Sequence, residues 1–259
     1  MKIGISTACF YPELTEKAVK HLCENGVSEI EIFFNSLCEM RGDILSEIAA
    51  ITKSNGTRVV SLHPFTSGFE PFMLFSDYER RFLDGLEFCK HYFNACNTLG
   101  AEILVLHGDR FESHHSDDRY FERYQELFRT AKKEGICVAQ ENVCRCRSRD
   151  VEFIKNMKTA LGDEVAFVLD LKQATRSGLS YKDVLSAMGD KLVHVHLNDC
   201  DENHDCLLPS QGNRDFAELF SKLKEHGYSG SAVIEVYREN YGDYSELFES
   251  LNHLKAAIK

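Results

Sequence analysis

Ionisable side chains stand at the ends of apolar segments along this chain. The segment LVHVHLND (192–199) reads as a buried strand, yet it carries two histidines and ends in Asn198 and Asp199. Other apolar segments repeat this arrangement, with an imidazole or carboxylate within or at the end of each: Glu31, His63, His107, Glu141, Asp170 and Glu235. Imidazoles and carboxylates bind divalent cations and transfer protons. Their recurrence predicts a site for metal-assisted or acid–base chemistry.

A candidate ligand set for one divalent cation is chosen from these residues. Carboxylates that converge at a buried place repel one another, and a divalent cation between them relieves that repulsion. Three carboxylates with one imidazole suit Mn²⁺, Co²⁺, Mg²⁺ or Zn²⁺. His194 and His196 share one face of their strand, and we choose His196 because it lies nearer the carboxyl end. The predicted metal ligands are Glu141, Asp170, His196 and Glu235.

Eight apolar segments of strand length must position these side chains. They cover residues 2–7, 29–34, 58–64, 102–108, 137–143, 165–172, 192–199 and 231–237. Each is followed by a segment with helical spacing, as in 78–100, where apolar residues recur at intervals of three and four: Phe82, Leu86, Cys89, Phe93 and Cys96.

This alternation predicts an α/β protein, a (β/α)8 TIM barrel in which residues 1–259 form one domain. A doubly wound open sheet is the alternative, but no GxGxxG turn follows the first segment. The active sites of TIM barrels lie at the carboxyl ends of the strands, where the ionisable residues occur.

Composition narrows the possible partners and location. The net charge of −11 and the lack of a basic stripe argue against nucleic acid as the main partner. No apolar run reaches the length of about 18 residues that a membrane-spanning helix needs. The first residues, MKIGISTACFYPE, read as a strand and not as a secretory signal, so we expect a cytoplasmic protein with ten reduced cysteines.

Seven short motifs at and after the predicted strands carry a resemblance to a known family. They are SLHP (61–64), LVLHGD (104–109), QENV (140–143), LDLKQA (169–174), HVHLND (194–199), GNRDF (212–216) and VIEVY (233–237). Over essentially the whole chain they resemble the xylose isomerase-like TIM barrels. That superfamily includes sugar-phosphate isomerases and epimerases, inosose dehydratases and endonuclease IV-type AP endonucleases. The resemblance implies metal ligands at Glu141, Asp170, His196 and Glu235. It places His63 and His107 in the substrate pocket or, in the endonuclease branch, on further metals.

The chain departs from the endonuclease branch at two places. Family members usually carry a histidine three residues after the acid of the sixth strand, where this chain has Gln173. The region CDENHDCLLPSQGNRDF (200–216) also lacks the Asp-x-His pair of the endonucleases. The motif GNRDF instead resembles the small-molecule branch, in which a glycine-rich turn precedes an Asp-Phe pair that opens the next helix.

The candidate ligand set, together with this resemblance, implies a metal-dependent isomerase or epimerase of a small sugar, keto-sugar or sugar phosphate. The cation would stabilise an enediolate, and Glu141 and Glu235 would exchange the proton as base and acid. The alternatives are an endonuclease IV-type AP endonuclease, an inosose dehydratase-like lyase, and a binding barrel that has lost its chemistry.

Five residues are predicted to bind substrate: His63, His107, Lys172, Gln173 and Arg214. The histidines would contact hydroxyl or carbonyl groups. Lys172 and Arg214 suit an anionic group, although a solvated charge at the rim of the barrel is the alternative and is slightly favoured for Lys172.

Two further features have alternative interpretations. The long aromatic loop 65–81 predicts a lid over the site or a dimer contact, so a homo-oligomer is left open. Glu31 is predicted either to contact groups behind the ligands or to cap the second strand.

Overall fold

A closed barrel of eight parallel strands forms the centre of the protein. In the computed structural model, which describes residues 1–258, the strands pair in sequence order and the eighth pairs with the first. The strands are β1 Lys2–Ser6, β2 Glu29–Phe33, β3 Arg58–His63, β4 Ile103–Leu106, β5 Cys137–Glu141, β6 Phe167–Asp170, β7 Leu192–Leu197 and β8 Ser231–Ile234. The predicted TIM barrel is confirmed. Each strand ends one to three residues earlier than predicted, so that His107 lies just beyond β4, Lys172 beyond β6 and Glu235 beyond β8.

Helices surround the barrel. They are α1 Thr15–Glu24, α2 Gly42–Asn55, α3 Glu70–Met73, α4 Glu79–Leu99, α5 Asp117–Lys133, α6 Val151–Leu161, α7 Leu171–Arg176, α8 Tyr181–Met188, α9 Phe216–Glu225 and α10 Tyr244–Ala257. In α4 the predicted apolar face is buried at Phe82, Cys89, Phe93 and Cys96. Gly100 ends this helix in the left-handed conformation, with φ of 71°. Burial of such faces against the strands is the main favourable contribution to the fold.

The barrel interior holds polar side chains where TIM barrels usually pack branched apolar ones. Glu31 pairs in register with Ser61, and Asp170 pairs with His196. All four residues are completely buried, as is His194. Because side chains alternate along a strand, His194 and His196 point to the same side. The register of the strand pairing therefore determines at which level along the barrel axis the imidazole and carboxylate groups lie.

Asp199 organises the long loop between β7 and α9. Its carboxylate accepts hydrogen bonds from the backbone N–H groups of Cys200, Ser210, Gly212 and Arg214. A Cβ atom at Gly212 would lie 2.4 Å from the Cys200 carbonyl oxygen, so this approach requires glycine. Asp215 then caps α9, which confirms the helix start predicted from GNRDF.

The aromatic loop predicted over residues 65–81 contains the short helix α3. Phe69 and Phe72 are 64% and 51% exposed, whereas Phe75 is buried. The loop and α4 border an apolar groove of about 400 Å³, whose lining includes Phe65 and Phe88. The two roles considered for the loop, lid and dimer contact, remain predictions.

Neither a membrane-spanning helix nor a disulfide is found within residues 1–258. No helix of that part of the chain is both long and apolar enough to cross a membrane. The ten cysteines are all unpaired within the described residues.

Candidate metal centre

The four predicted metal ligands converge at the carboxyl ends of β5 to β8. Glu141 and Asp170 are the last residues of β5 and β6, His196 lies in β7, and Glu235 follows β8. One potential ligand atom of each lies within 4.8 Å of the others, and all four residues are buried. His196 Nδ1 is 3.2 Å from Glu141 Oε1, 3.2 Å from Glu235 Oε2 and 3.7 Å from Asp170 Oδ2. One ring nitrogen therefore faces three carboxylates at a spacing suited to a shared ion.

Unsatisfied oxygens in this cluster fit a divalent cation. Among residues 1–258, Glu141 Oε2 and Asp170 Oδ2 are buried carboxylate oxygens that accept no hydrogen bond. Positively charged or imidazole nitrogens lie near both, with His107 Nε2 at 3.2 Å from Glu141 Oε2 and Lys172 Nζ at 3.5 Å from Asp170 Oδ2, but neither contact is a hydrogen bond. Divalent cations bind such buried carboxylate oxygens well. The donor set of three carboxylates and one imidazole matches the Mn²⁺, Co²⁺, Mg²⁺ or Zn²⁺ expected from the sequence.

Asp170 is held in place by its neighbours. Its Oδ1 accepts a hydrogen bond from the Gln173 N–H at 2.9 Å and so caps α7. Its backbone N–H donates to Asn142 Oδ1 at 2.7 Å, and its carbonyl oxygen accepts from Asn142 Nδ2 at 3.0 Å. These bonds orient the residue and leave Oδ2 to face His196.

Glu31 lies behind His196, on the side away from the three carboxylates. Its Oε2 is 3.1 Å from His196 Nε2 and 3.2 Å from His194 Nε2, and it accepts a hydrogen bond from the Ser61 hydroxyl at 2.8 Å. A carboxylate on the second ring nitrogen fixes the tautomer and orientation of a metal-binding histidine. Of the two roles considered for Glu31, the structure shows contact with groups behind the ligands.

Burial and neighbouring charges shift the pKa values of the cluster. Burial raises the pKa of Glu141, and His196 and His107 only partly offset this. Burial also raises the pKa of Glu235, but Lys172 and His196 outweigh it and hold that pKa well below its ordinary value. Burial lowers the pKa of His196, yet Glu31 and Glu235 raise it well above its usual range. The cluster therefore attracts positive charge.

Lys172 is buried within the site and is not a solvated charge at its rim. The residue is 3% exposed, and Nζ lies 3.3 Å from Glu235 Oε2 and 3.5 Å from Asp170 Oδ2. Burial lowers the pKa of Lys172, but the two carboxylates hold it well above its ordinary value. The interpretation slightly favoured from the sequence is wrong, because α7 begins directly after Asp170 and its first turn keeps Lys172 over the carboxylates.

His63 and His107 lie next to Glu141. Glu141 Oε2 is 3.2 Å from His107 Nε2 and 4.0 Å from His63 Nε2. Burial and the charge of His107 lower the pKa of His63 to about 3, so this imidazole is neutral at physiological pH. His107 Nδ1 faces Glu70 Oε1 at 3.7 Å, and Glu70 Oε2 accepts a hydrogen bond from the Gly108 N–H at 2.6 Å. Glu70 thus ties α3 to the turn that carries His107.

Glu70 is the site residue that the sequence analysis missed. It lies in α3 and not at a strand end, and it is only 4% exposed. The available signal was an acidic residue inside the otherwise apolar segment FEPFM (69–73), since a carboxylate buried among apolar residues needs a partner.

The side chains of Gln173 and Arg214 form hydrogen bonds with neighbouring residues around the site. Gln173 Oε1 accepts a hydrogen bond from the Cys144 N–H at 3.0 Å. Arg214 Nε donates to the Asn198 carbonyl oxygen at 3.2 Å, and its Nη2 donates to Thr175 Oγ1 at 3.2 Å. Their contacts with substrate stay predictions.

Solved structures with the same fold include proteins named for sugar chemistry. The chain superposes on a D-tagatose 3-epimerase-like protein with a TM-score of 0.82 and 20% identity, covering 100% of this chain and 97% of that one. The apo form of 3-keto-D-glucoside 4-epimerase from E. coli gives a TM-score of 0.77 and 22% identity, covering 99% of each chain. The IOLI protein with a binding zinc atom gives 0.77 and 21%, covering 99% of this chain and 96% of that one.

Sequence comparison identifies the family. An uncharacterized protein of Methanocaldococcus jannaschii is 23% identical over 258 residues, which cover 94% of this chain and 85% of that protein. The profile of the family described as xylose isomerase-like TIM barrel matches residues 19–257. The chain therefore belongs to the xylose isomerase-like TIM barrel family.

Proposed function

We propose that this protein is a divalent-metal-dependent isomerase or epimerase of a small sugar, keto-sugar or sugar phosphate, acting through an enediolate. The main support is that Glu141, at the end of β5, and Glu235, just after β8, each approach His196 Nδ1 to 3.2 Å. Moving a proton between the two faces of a carbon needs an acid and a base on opposite sides. Similarity to proteins named as a 3-keto-D-glucoside 4-epimerase and a D-tagatose 3-epimerase-like protein supports a carbohydrate substrate.

Glu141, Asp170, His196 and Glu235 would hold one ion. A bound divalent cation supplies Lewis-acid stabilisation of the negative charge that develops on a substrate oxygen. The unsatisfied oxygens of Glu141 and Asp170 support this assignment, as does the zinc named in the structurally similar IOLI protein.

Glu141 and Glu235 would exchange the proton on the carbon next to the substrate carbonyl. In an epimerisation one carboxylate removes the proton and the other delivers a proton to the opposite face, whereas a 1,2-isomerisation uses one carboxylate. His63 and His107 would bind hydroxyl or carbonyl oxygens of the substrate, His63 as a neutral imidazole. The burial of all these groups would exclude bulk water during the transfer.

The alternatives have less support. Position 173 offers an amide already bound to the Cys144 N–H, and no imidazole for an additional zinc ion. The net charge of −11 also disfavours binding to the phosphates of DNA. An inosose dehydratase-like lyase would use the same carboxylate base, but its product would have lost one water molecule relative to the substrate.

Solvent deuterium exchange tests the proposal. Metal-stripped protein is loaded with Mn²⁺, Co²⁺, Mg²⁺ or Zn²⁺ and incubated in D₂O with ketoses, keto-glycosides, inososes and sugar phosphates. We expect metal-dependent deuterium incorporation next to the carbonyl without loss of water. Loss of water would identify a lyase. Nicking of an abasic-site duplex by the zinc-loaded protein, or a metal-loaded protein inert to the whole panel, would contradict the proposal.

Metal binding is expected to raise the thermal stability of the protein. An ion at about a hundred times its Kd adds about 2.7 kcal/mol, or roughly 5–10 °C in Tm for a chain of this size. Melting curves with metal and with EDTA measure the shift. Asp170→Asn should lose most of it, because Asp170 contributes a ligand oxygen beside His196. The exposed Asp163→Asn should retain it, and equal shifts in both variants would place the ion elsewhere.

Glu70→Gln is expected to slow turnover by about ten- to a hundredfold, which is the range seen when the hydrogen-bonding partner of a site residue is removed. Metal affinity should stay within about a factor of two, because Glu70 contacts none of the four predicted ligands. Gln can still accept the Gly108 N–H bond, but it removes the negative charge that faces His107 Nδ1. Steady-state kinetics and metal titration on the same samples separate the two effects. Glu79→Gln, on the exposed start of α4, serves as the control. Unchanged turnover in Glu70→Gln would show that His107 does not depend on Glu70.

A further inference from the structure

Lys172 contacts the same oxygen atoms that a metal ion would use. Its Nζ is 3.3 Å from Glu235 Oε2 and 3.5 Å from Asp170 Oδ2. These two oxygens also face His196 Nδ1, at 3.2 Å and 3.7 Å. An ammonium group at this distance competes with a cation for the carboxylates and also repels it. A fixed positive charge therefore stands inside the ligand cluster.

The local charge explains why a lysine fits there. Glu141, Asp170 and Glu235 bring three negative charges to one buried place. A divalent ion would compensate two of them, and the Lys172 ammonium compensates the third. Glu31 is a further acid, but it faces His194 and His196 on the other side of the ring. Without an ion, Lys172 still pairs with two of the carboxylates, whose burial without a cation would be strongly unfavourable.

Lys172 is poorly placed to receive an anionic group of a substrate. Its Nζ pairs with two buried carboxylates, and the ring of Tyr237 lies 4.8 Å from Nζ. The nearby Arg176 is likewise engaged, since it pairs with Asp205 and donates to the Tyr237 hydroxyl at 2.8 Å. The positive charge of Lys172 is thus directed at the metal ligands.

We propose that Lys172 is a built-in cation of the metal site, which lowers the affinity for the divalent ion and stabilises the metal-free protein. The inference rests on the proposed function only in requiring that Glu141, Asp170, His196 and Glu235 bind an ion. It adds that the protein holds a divalent ion less tightly than the four ligands alone would.

Two neutral variants, Lys172→Met and Lys172→Gln, test this inference through binding and melting. Mn²⁺ affinity is measured by titration of the full-length, metal-stripped protein, and Tm is measured with Mn²⁺ and with EDTA. Each variant should bind Mn²⁺ about tenfold more tightly or better than the wild type. Without metal, Tm should fall by roughly 5 °C or more, and saturating Mn²⁺ should remove most of that difference. Lys172→Arg keeps the charge and should stay closer to the wild-type affinity than the neutral variants.

Lys182→Met is the matched control, because Lys182 lies on the surface and pairs with Glu218. It should change neither the Mn²⁺ affinity nor the Tm of the metal-free protein by a comparable amount. Equal or weaker Mn²⁺ binding by a folded neutral variant at position 172 would overturn the inference. If instead the wild type and all variants bind no divalent ion, the proposed function itself fails.

Discussion

Glu141→Gln and Glu235→Gln are each expected to reduce turnover by about a thousandfold at saturating metal, the middle of the range for loss of a general acid or base. Glutamine keeps the size of the side chain and one oxygen ligand, but it cannot take up a proton from carbon. Both glutamates also approach His196 Nδ1 at 3.2 Å, so metal affinity should fall as well. Turnover must therefore be measured at metal concentrations that saturate each variant.

The pattern of residual exchange separates an epimerase from an isomerase. If the two carboxylates serve opposite faces, a variant that lacks one of them retains proton exchange from one epimer and loses it from the other. Glu141→Gln and Glu235→Gln should then show opposite preferences for the two epimers in D₂O. If a single carboxylate carries the proton in a 1,2-isomerisation, only one variant should lose exchange.

Glu239→Gln provides the control, because Glu239 lies four residues after Glu235 but is exposed. It should exchange protons at the wild-type rate. Wild-type turnover in metal-saturated Glu141→Gln and Glu235→Gln would show that neither carboxylate moves the proton.

The barrel was predictable because its signals are local and repeated. Each strand is an apolar segment, and each is followed by helical spacing such as that of α4. The convergence of Glu141, Asp170, His196 and Glu235 followed from the same pattern, since the carboxyl ends of parallel strands in a barrel meet at one face. The position of such a side chain depends only on where its strand ends and on which face of the strand it occupies, and both can be predicted from the sequence.

The burial of Lys172 and the contacts of Glu70 were not predictable in this way because no strand of the structure positions these two side chains. Lys172 faces the carboxylates only because α7 begins directly after Asp170, which is its N-cap. The sequence pattern does not show whether a helix or a longer loop follows Asp170. Glu70 reaches Gly108 across 38 positions in the chain, from a short helix inside an aromatic loop. Contacts that join a loop to a distant turn depend on tertiary packing, which composition and periodicity do not encode.

Glu31→Gln is expected to weaken metal binding about tenfold, and Glu31→Leu about a hundredfold, the range for loss of the partner of a metal-binding histidine. Glu31 Oε2 is 3.1 Å from His196 Nε2, the nitrogen that does not face the carboxylate cluster. Gln retains an acceptor for this nitrogen but loses the charge that makes the imidazole a better ligand, whereas Leu also loses the hydrogen bond. Turnover at saturating metal should fall less than affinity, because Glu31 faces Nε2 and does not contact Glu141 or Glu235, which are proposed to move the proton.

Glu29→Gln is the matched control for this prediction. Glu29 is as buried as Glu31 and lies on the same strand, but it faces Ser231 and Lys2 at the opposite end of the barrel. Both Gln variants should lower Tm by removing a buried, paired carboxylate, and only Glu31→Gln should weaken metal binding. Titration of each folded variant with Mn²⁺, alongside its melting curve, distinguishes the two effects. Equal affinities in the two Gln variants would mean that His196 is oriented by the strand alone, and that the carboxylate behind it contributes only to stability.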